Sequence, residues 1–324
     1  MKVFAYLRNP GYCDNLVERD YKKIDVINYA FGKIINGKLN VSHLSNLNKV
    51  LELKDKGLKV VIVIDGVEKE TRDAFILATS NQENRNKLAN SIVDIINEHH
   101  FDGVDLDWEA PFGKEQIVNY TLLIKTIREY LDNVNKELLL TAAVYASGFN
   151  NHYDLKEMSK YLNYLHIMTY GMGSKKYASH NSPLYPSEDT KYSISTAVEE
   201  VLNNGFSKNQ VIIGIPFYAR GGIIGNVDKI LGTEYLEGTF KAISNTKFLN
   251  EFNDKPTCFD EVSHAYYKYD GETFMTFDNE ESIREKSEYV NNNSLGGMMF
   301  WDYGHDKEHG LLLSYIDKYL KKLK

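Results

Sequence analysis

Cysteine is scarce in this chain of 324 residues: Cys13 and Cys258 are the two present, so at most one disulfide can form. They lie far apart in the sequence, which leaves their pairing open, and two free thiols are expected. Long apolar runs are missing as well. The longest strongly apolar stretch covers residues 60–64, far short of the roughly 18 residues of a membrane span, and this excludes a transmembrane helix. Nor is there an excess of positive charge. Thirty-eight Lys and Arg stand against 45 Asp and Glu, and the net charge of −7 repels nucleic acid and anionic membranes. The one basic stretch, 321–324, suits the C-terminal end of a helix, whose dipole attracts cations. Residues 1–8 meet charge too early to form the apolar core of a secretory leader, so the chain is expected to be cytoplasmic, or secreted after removal of a leader. The segment Gly171-Met172-Gly173-Ser174-Lys175-Lys176 lacks the spacing of a phosphate-binding loop and reads as a flexible loop. No low-complexity linker or sequence repeat marks a second independent domain.

What is present is the material of a globular protein: 43% hydrophobic residues, enough for a sizeable core, with 26% charged. Tyrosine stands out at 23 copies, a residue suited both to sheet packing and to sugar faces. Eight short β-branched runs recur, at 3–7, 26–31, 60–64, 103–109, 138–145, 165–170, 211–217 and 297–301. Helical periodicity lies between them at 82–100, 115–134, 193–203 and 280–291, and a last helix is expected at 311–323. This alternation predicts an α/β fold, a closed (β/α)8 TIM barrel. The gap between the seventh and eighth runs exceeds what one crossover helix needs. Its aromatic-rich residues, among them Tyr266, Tyr267, Tyr269 and Phe274, predict a small α+β insertion over the C-terminal face. The expected division is a barrel of 1–219 and 277–324 with an insertion subdomain of 220–276.

The most informative segment is Phe101-Asp102-Gly103-Val104-Asp105-Leu106-Asp107-Trp108-Glu109. Residues two apart on a strand share a face, so Asp105, Asp107 and Glu109 point one way and Val104, Leu106 and Trp108 the other. Neighbours in such a row are roughly 6 to 7 Å apart at Cβ. With the apolar alternates turned to the helices, the acidic face must be the barrel interior, where ionised groups are expensive. Burial and like-charge neighbours both raise a carboxyl pKa, so the row is expected to retain a proton near neutral pH, as a general acid requires. Glu109 ends the strand on the face where barrels place their chemistry. A divalent metal would want ligands from further strands. None is apparent, and His99 and His100 read as helix-end residues, so no metal or cofactor is expected.

Asp102, Asp105, Asp107 and Glu109 match in full the DxxDxDxE signature of glycoside hydrolase family 18, which the chain resembles over nearly its whole length. Ile27-Asn28-Tyr29-Ala30-Phe31 resembles that family's second strand, Leu140-Thr141-Ala142-Ala143-Val144 its fifth and Met168-Thr169-Tyr170 its sixth. Gly214-Ile215-Pro216-Phe217-Tyr218-Ala219-Arg220 is similar to the seventh strand, and Leu295-Gly296-Gly297-Met298-Met299-Phe300-Trp301 to the eighth. The insertion falls where the chitinase-type branch carries its α+β subdomain. The resemblance implies a substrate-assisted route, outside the usual scheme of two carboxylates. Glu109 would protonate the glycosidic oxygen while the substrate's N-acetyl oxygen attacks C1, and water would open the oxazolinium ion with retention. Asp107 would turn from Asp105 to the acetamido N–H, with Asp105 holding the spare proton. Tyr170 would donate to the acetamido carbonyl, and Trp301 would floor the sugar pocket lined by Tyr218, Met299, Met168, Phe31 and Tyr6. Asp102 and Gly103 would belong to the structural part of the motif.

Two departures from the family pattern stand out. Gly171 follows Tyr170 where Asp or Asn is usual, and the third-strand motif reads Val63-Ile64-Asp65-Gly66-Val67, without the aromatic that flanks the cleft. Asp65 is expected to be a loop carboxylate with no catalytic role. The function implied is hydrolysis of chitin or chitooligosaccharides by a monomer. The alternatives are an endo-β-N-acetylglucosaminidase acting on N-glycans or bacterial wall glycan, and a non-catalytic chitin-binding lectin.

Overall fold

The computed structural model describes residues 1–8 and 16–321. Cys13 and most of the basic tail, 322–324, lie outside the described residues. The elements run β1 (Lys2–Arg8), β2 (Val26–Ile35), β3 (Lys38–Asn40), α1 (Leu47–Leu51), β4 (Lys59–Gly66), α2 (Lys69–Thr79), α3 (Gln82–His99), β5 (Gly103–Trp108) and α4 (Gly113–Val134). They continue with β6 (Leu139–Tyr145), α5 (Leu155–Met158), β7 (Tyr164–Met168), α6 (Ile194–Asn203), β8 (Val211–Pro216), β9 (Tyr218–Ile223), β10 (Lys241–Ser244) and α7 (Asn245–Phe252). The last are β11 (Thr257–Asp260), β12 (Ala265–Tyr269), β13 (Thr273–Phe277), α8 (Glu280–Asn293), β14 (Gly297–Trp301) and α9 (Leu311–Tyr319).

Strands β1, β14, β8, β7, β6, β5, β4 and β2 pair in parallel in that order, and β1 also pairs with β2, closing a (β/α)8 barrel. All eight predicted runs fall on these strands. The barrel has two apolar layers because alternate side chains of each strand point to opposite faces. Val104, Leu106 and Trp108 belong to the outer layer with the helices, where Trp108 stacks on Phe75 of α2 at 5.1 Å and meets Tyr120 of α4 edge-on at 5.1 Å. Phe4, Tyr6, Val26, Ala30, Val61, Val63, Leu139, Met168, Ile212 and Met299 fill the lumen.

Helix starts are set by local chemistry. Asn81, Ser193 and Asn279 precede α3, α6 and α8, and each side chain accepts a backbone N–H of the first turn. Helix α2, between β4 and α3, was not anticipated from periodicity. Its interior is mostly polar and half-exposed, and what holds it is the burial of Phe75, Ala78 and Thr79.

Between β8 and β14 lies a second, five-stranded antiparallel sheet in the order β10-β9-β13-β12-β11, with α7 packed on it through Phe248 and Phe252. Its first strand begins at Tyr218, one residue past Phe217, so the chain passes from barrel to second sheet without a linker. Among the described residues no helix is long and apolar enough to cross a membrane.

Candidate active site

Asp102 and Gly103 sit where β5 begins, away from the acidic row. Asp102 accepts the Val60 N–H at 2.7 Å and pairs with Lys54 at 3.1 Å, tying β5 to β4. At Gly103 (φ +154°) a Cβ would lie 2.1 Å from the Leu139 carbonyl oxygen, so only glycine lets β5 meet β6 there. The row above them climbs the lumen side of β5. Asp105 is wholly buried and Asp107 is 4% exposed, while Glu109, just past the strand, is half-buried at the barrel mouth.

Each carboxyl has a different environment. Asp105 accepts hydroxyl hydrogens on both oxygens, from Tyr6 at 2.8 Å and, very closely, from Thr141. Asp107 has an oxygen, Oδ1, with no partner among the described residues. Burial first, then the charges of Glu109, Asp105 and Asp65, push the Asp107 carboxyl well above the usual range. Burial also raises Glu109, helped by Asp65 and opposed by a hydrogen bond with Tyr145 and by the Arg72 charge. In this ligand-free site the upward shift is strongest at Asp107, whereas the resemblance puts the spare proton on Asp105 once Asp107 has turned to the substrate. The row is acidic enough in composition that it cannot ionise fully in so little water.

Asp107 and Glu109 line a cleft of about 870 Å³ at the C-terminal ends of the barrel strands, with Asp105 buried beneath it. Of the anticipated residues, Tyr6, Phe31, Asp107, Glu109, Met168, Tyr170, Tyr218 and Trp301 all border it. Trp301 lies across the barrel from the row, its ring 5.6 Å from Tyr6 and 5.9 Å from Phe31, with the Arg8 guanidinium 5.3 Å from its centre. Tyr170 and Tyr218 meet edge-on at 6.1 Å, and burial pushes the Tyr218 hydroxyl up to about 12. Met299 does not border the cleft. It is fully buried below, with its sulfur 3.9 Å from the Tyr170 hydroxyl, so it supports Tyr170 instead of lining the pocket. Gly214 makes room for both, since a Cβ there would lie 2.6 Å from Met299 and 2.7 Å from Tyr170.

The two departures from the family pattern have structural answers. Gly171 donates its N–H to Asn181 Oδ1 at 2.9 Å, and the buried Arg220 donates to the same oxygen at 3.1 Å. Arg220 also borders the cleft, which gives a polar group beside Gly171. Asp65 is not on a loop. It ends β4 directly beside Asp107 on β5, lines the cleft, and has one oxygen fixed by the Val67 N–H at 3.0 Å and the Thr71 hydroxyl at 3.2 Å.

Several residues of the site were not singled out from sequence. Tyr145 lines the cleft and bonds Glu109, and burial with the Glu109 charge pushes its hydroxyl up to about 12. Thr141 holds Asp105, Arg8 pairs with the buried Asp302, and Phe240, Ala242, Ile243 and Ser244 bring the second sheet to the cleft wall. Thr141 and Tyr145 were within reach of a two-residue period read inward along the fifth run. Arg8 and the β10 residues carried no such signal. Among the described residues, no group of three His, Cys, Asp or Glu side chains could hold a metal ion.

The site is thus a graded row of carboxyls rising to a barrel mouth, with an aromatic floor opposite and a second sheet for a wall. The profile of Glycosyl hydrolases family 18 matches residues 3–306. Chitinase A1 of Niallia circulans is 29% identical over 82% of this chain and 43% of its own length, and Chitinase 1 of Aphanocladium album 29% identical over 80% and 64%. The chain thus spans between two fifths and two thirds of the length of these relatives. Among solved structures, the family 18 N-acetylglucosaminidase from Paenibacillus barengoltzii superposes with a TM-score of 0.89 at 30% identity, covering 98% of this chain and 99% of that one. Chitinase ChiW from Paenibacillus sp. str. FPU-7 gives 0.87 at 27%, covering 100% and 43%. The chain belongs to Glycosyl hydrolases family 18.

Proposed function

We propose that this chain hydrolyses β-1,4-linked N-acetylglucosamine polymers, chitin or its oligomers, with retention at the anomeric carbon through an oxazolinium intermediate. The observation that carries the reading is the division of labour along β5: a half-buried Glu109 with a raised pKa at the cleft, and one step below it an Asp107 whose pKa is pushed well above the usual range and whose Oδ1 has no partner among the described residues. A carboxyl whose pKa is raised by burial and which is open to the cleft is suited to protonate a leaving oxygen. Tyr145 holds Glu109 by a hydrogen bond, and the Arg72 guanidinium, 3.3 Å from its backbone carbonyl, limits how far its pKa rises.

Neither of the other carboxyls of the row is suited to act as nucleophile, because Asp107 is itself raised and Asp105 is wholly buried beneath it, and the neighbouring Asp65 has one oxygen fixed by the Val67 N–H and the Thr71 hydroxyl. The substrate's own N-acetyl oxygen supplies that role. Asp107, turned upward, receives the acetamido N–H and stabilises the positive charge that forms on the ring. The Tyr170 hydroxyl steadies the acetamido carbonyl, and Trp301, carried by Tyr6 and Phe31, floors the sugar. The presence of both Glu109 and Asp107 favours catalysis over sugar binding alone. The N-acetylglucosaminidase and chitinases among its relatives support an N-acetylglucosamine substrate.

The test is the configuration of fresh product. Chitotetraose cleaved in the NMR tube should release the β-anomer before mutarotation, and an α-product would exclude the oxazolinium route. Running N-glycan and bacterial wall glycan beside the chitin oligomers ranks the substrates, and faster turnover of either would displace chitin.

A further inference from the structure

Against Asp105, inside the lumen, lies a titratable side chain that the proposed chemistry does not use. His166 of β7 is wholly buried. Its Nδ1 is 3.0 Å from the Tyr6 hydroxyl, 3.3 Å from the Asn28 amide nitrogen and 3.5 Å from Asp105. Its Nε2 has no partner among the described residues. The neighbouring strands face it with Phe4 and Tyr6 from β1, Asn28 from β2, Asp105 from β5, and apolar Ala143 of β6 and Ile212 of β8 at its own level. Asp105 is the one charged group in contact, and Asp107 lies beyond it. Burial lowers the pKa of the imidazole, with the Asp105 charge opposing, so the ring is neutral near pH 7.

The geometry gives the single hydrogen of the Tyr6 hydroxyl two acceptors, Asp105 Oδ2 at 2.8 Å and His166 Nδ1 at 3.0 Å. With the Asn28 amide nitrogen turned to Nδ1, as it stands here, Nδ1 is the acceptor and the ring hydrogen sits on Nε2. We infer that His166 is a positioning residue that acts through Tyr6: it takes the Tyr6 hydrogen when Asp105 becomes protonated, so that Asp107 can leave its proton behind and face the substrate as a carboxylate.

The step balances without a co-reactant. One proton passes from the Asp107 carboxyl to the Asp105 carboxylate. Tyr6 then turns its hydrogen from Asp105 to the lone pair of His166 Nδ1, displacing the longer Asn28 N–H contact there, and its oxygen accepts the new Asp105 hydrogen. His166 stays neutral, no bond to carbon changes, and the transfer reverses when Asp107 turns back. Without an acceptor at Nδ1, the Tyr6 hydrogen is confined to Asp105, which holds Asp105 ionised and leaves the proton on Asp107. A neutral Asp107 stabilises a developing cation less well than a carboxylate does. This role rests on the proposed substrate-assisted chemistry.

The test compares His166→Leu, which removes the acceptor, with His166→Asn, whose amide oxygen can stand near the place of Nδ1. In His166→Leu an ionised Asp107 is obtained only by losing the row's proton to solvent. Its kcat on chitotetraose should fall about tenfold, and the acid limb of its pH profile should move up by about one unit, the weight of one hydrogen bond to a charged group. KM should be unchanged, and His166→Asn should keep the parent profile. A folded Leu variant with the parent profile, or an Asn variant as impaired as the Leu one, would overturn the assignment. Nitrogen-15 NMR of the parent protein provides a readout independent of both variants: the Nε2–H tautomer is expected, and an Nδ1–H ring refutes the proposal even where the Leu variant does not fold. If the parent turns over no amino sugar, the functional reading fails by itself, and the tautomer still decides which way the Tyr6 hydrogen can point.

Discussion

Replacing Glu109 by Gln changes one oxygen to an amide and keeps the side chain's size, so the half-buried site at the barrel mouth is preserved and the Tyr145 hydroxyl can still donate to the remaining oxygen. What is lost is the transferable proton. Positioned acid catalysis is worth about 10²- to 10⁴-fold, or about 3 to 5 kcal/mol of barrel-mouth transition-state stabilisation at 1.36 kcal/mol per tenfold. Turnover of chitotetraose should fall by that factor, while calorimetric binding of the oligomer remains close to the parent's. A second effect follows one step down the strand. Glu109 is the largest charged contributor to the raised pKa of Asp107, so its neutralisation should lower the Asp107 pKa, although burial still holds it above the ordinary value. Carbon-13 NMR of labelled aspartate, titrated in parent and variant, reads that shift. Parent-rate hydrolysis by Glu109→Gln would refute Glu109 as the acid, and an Asp107 titration unmoved by the change would refute the coupling of the row.

Two further variants probe stability. The folded pKa of Asp107 lies above its unfolded value, so its contribution to stability is fully present below about pH 4 and is lost as pH rises through the folded pKa. Asp107→Asn removes that loss: the variant should melt above the parent at pH 8, the gain should shrink toward pH 4, and turnover should fall. A lower melting temperature than the parent at pH 8 would contradict the buried-charge account. Gly103→Ala sets a methyl group against the Leu139 carbonyl and should cost about 3 kcal/mol or more. A variant that melts with the parent in a thermal scan would show that β5 and β6 can part there.

Much of the barrel was legible because its period is local. Strands buried on both faces read as short β-branched runs, and eight of them separated by helices admit a closed sheet. The acidic row was legible for the same reason, since charge at every second position of an otherwise apolar strand can face only an interior. Helix α2 was not, because few of its residues are buried and its pattern is correspondingly weak. Asp65 was misread as a loop residue because β4 runs to Gly66, past the apolar stretch that marked it. Met299 was placed in the pocket by its position in a motif, but the depth of a residue within a barrel depends on strand stagger, which a single strand does not reveal.

The sequence by itself determined which face of each strand carries chemistry, because side-chain alternation is a property of one strand and needs no partner. Tertiary structure decided which groups share a proton. Tyr6, Asn28, Asp105, Thr141 and His166 come from five different strands, and their contacts exist only because the sheet closes and brings its interior faces within hydrogen-bond reach. Closure also sets the dielectric: the same carboxyls on an open sheet edge would ionise independently, whereas in the lumen burial and mutual repulsion push the Asp107 carboxyl well above the usual range.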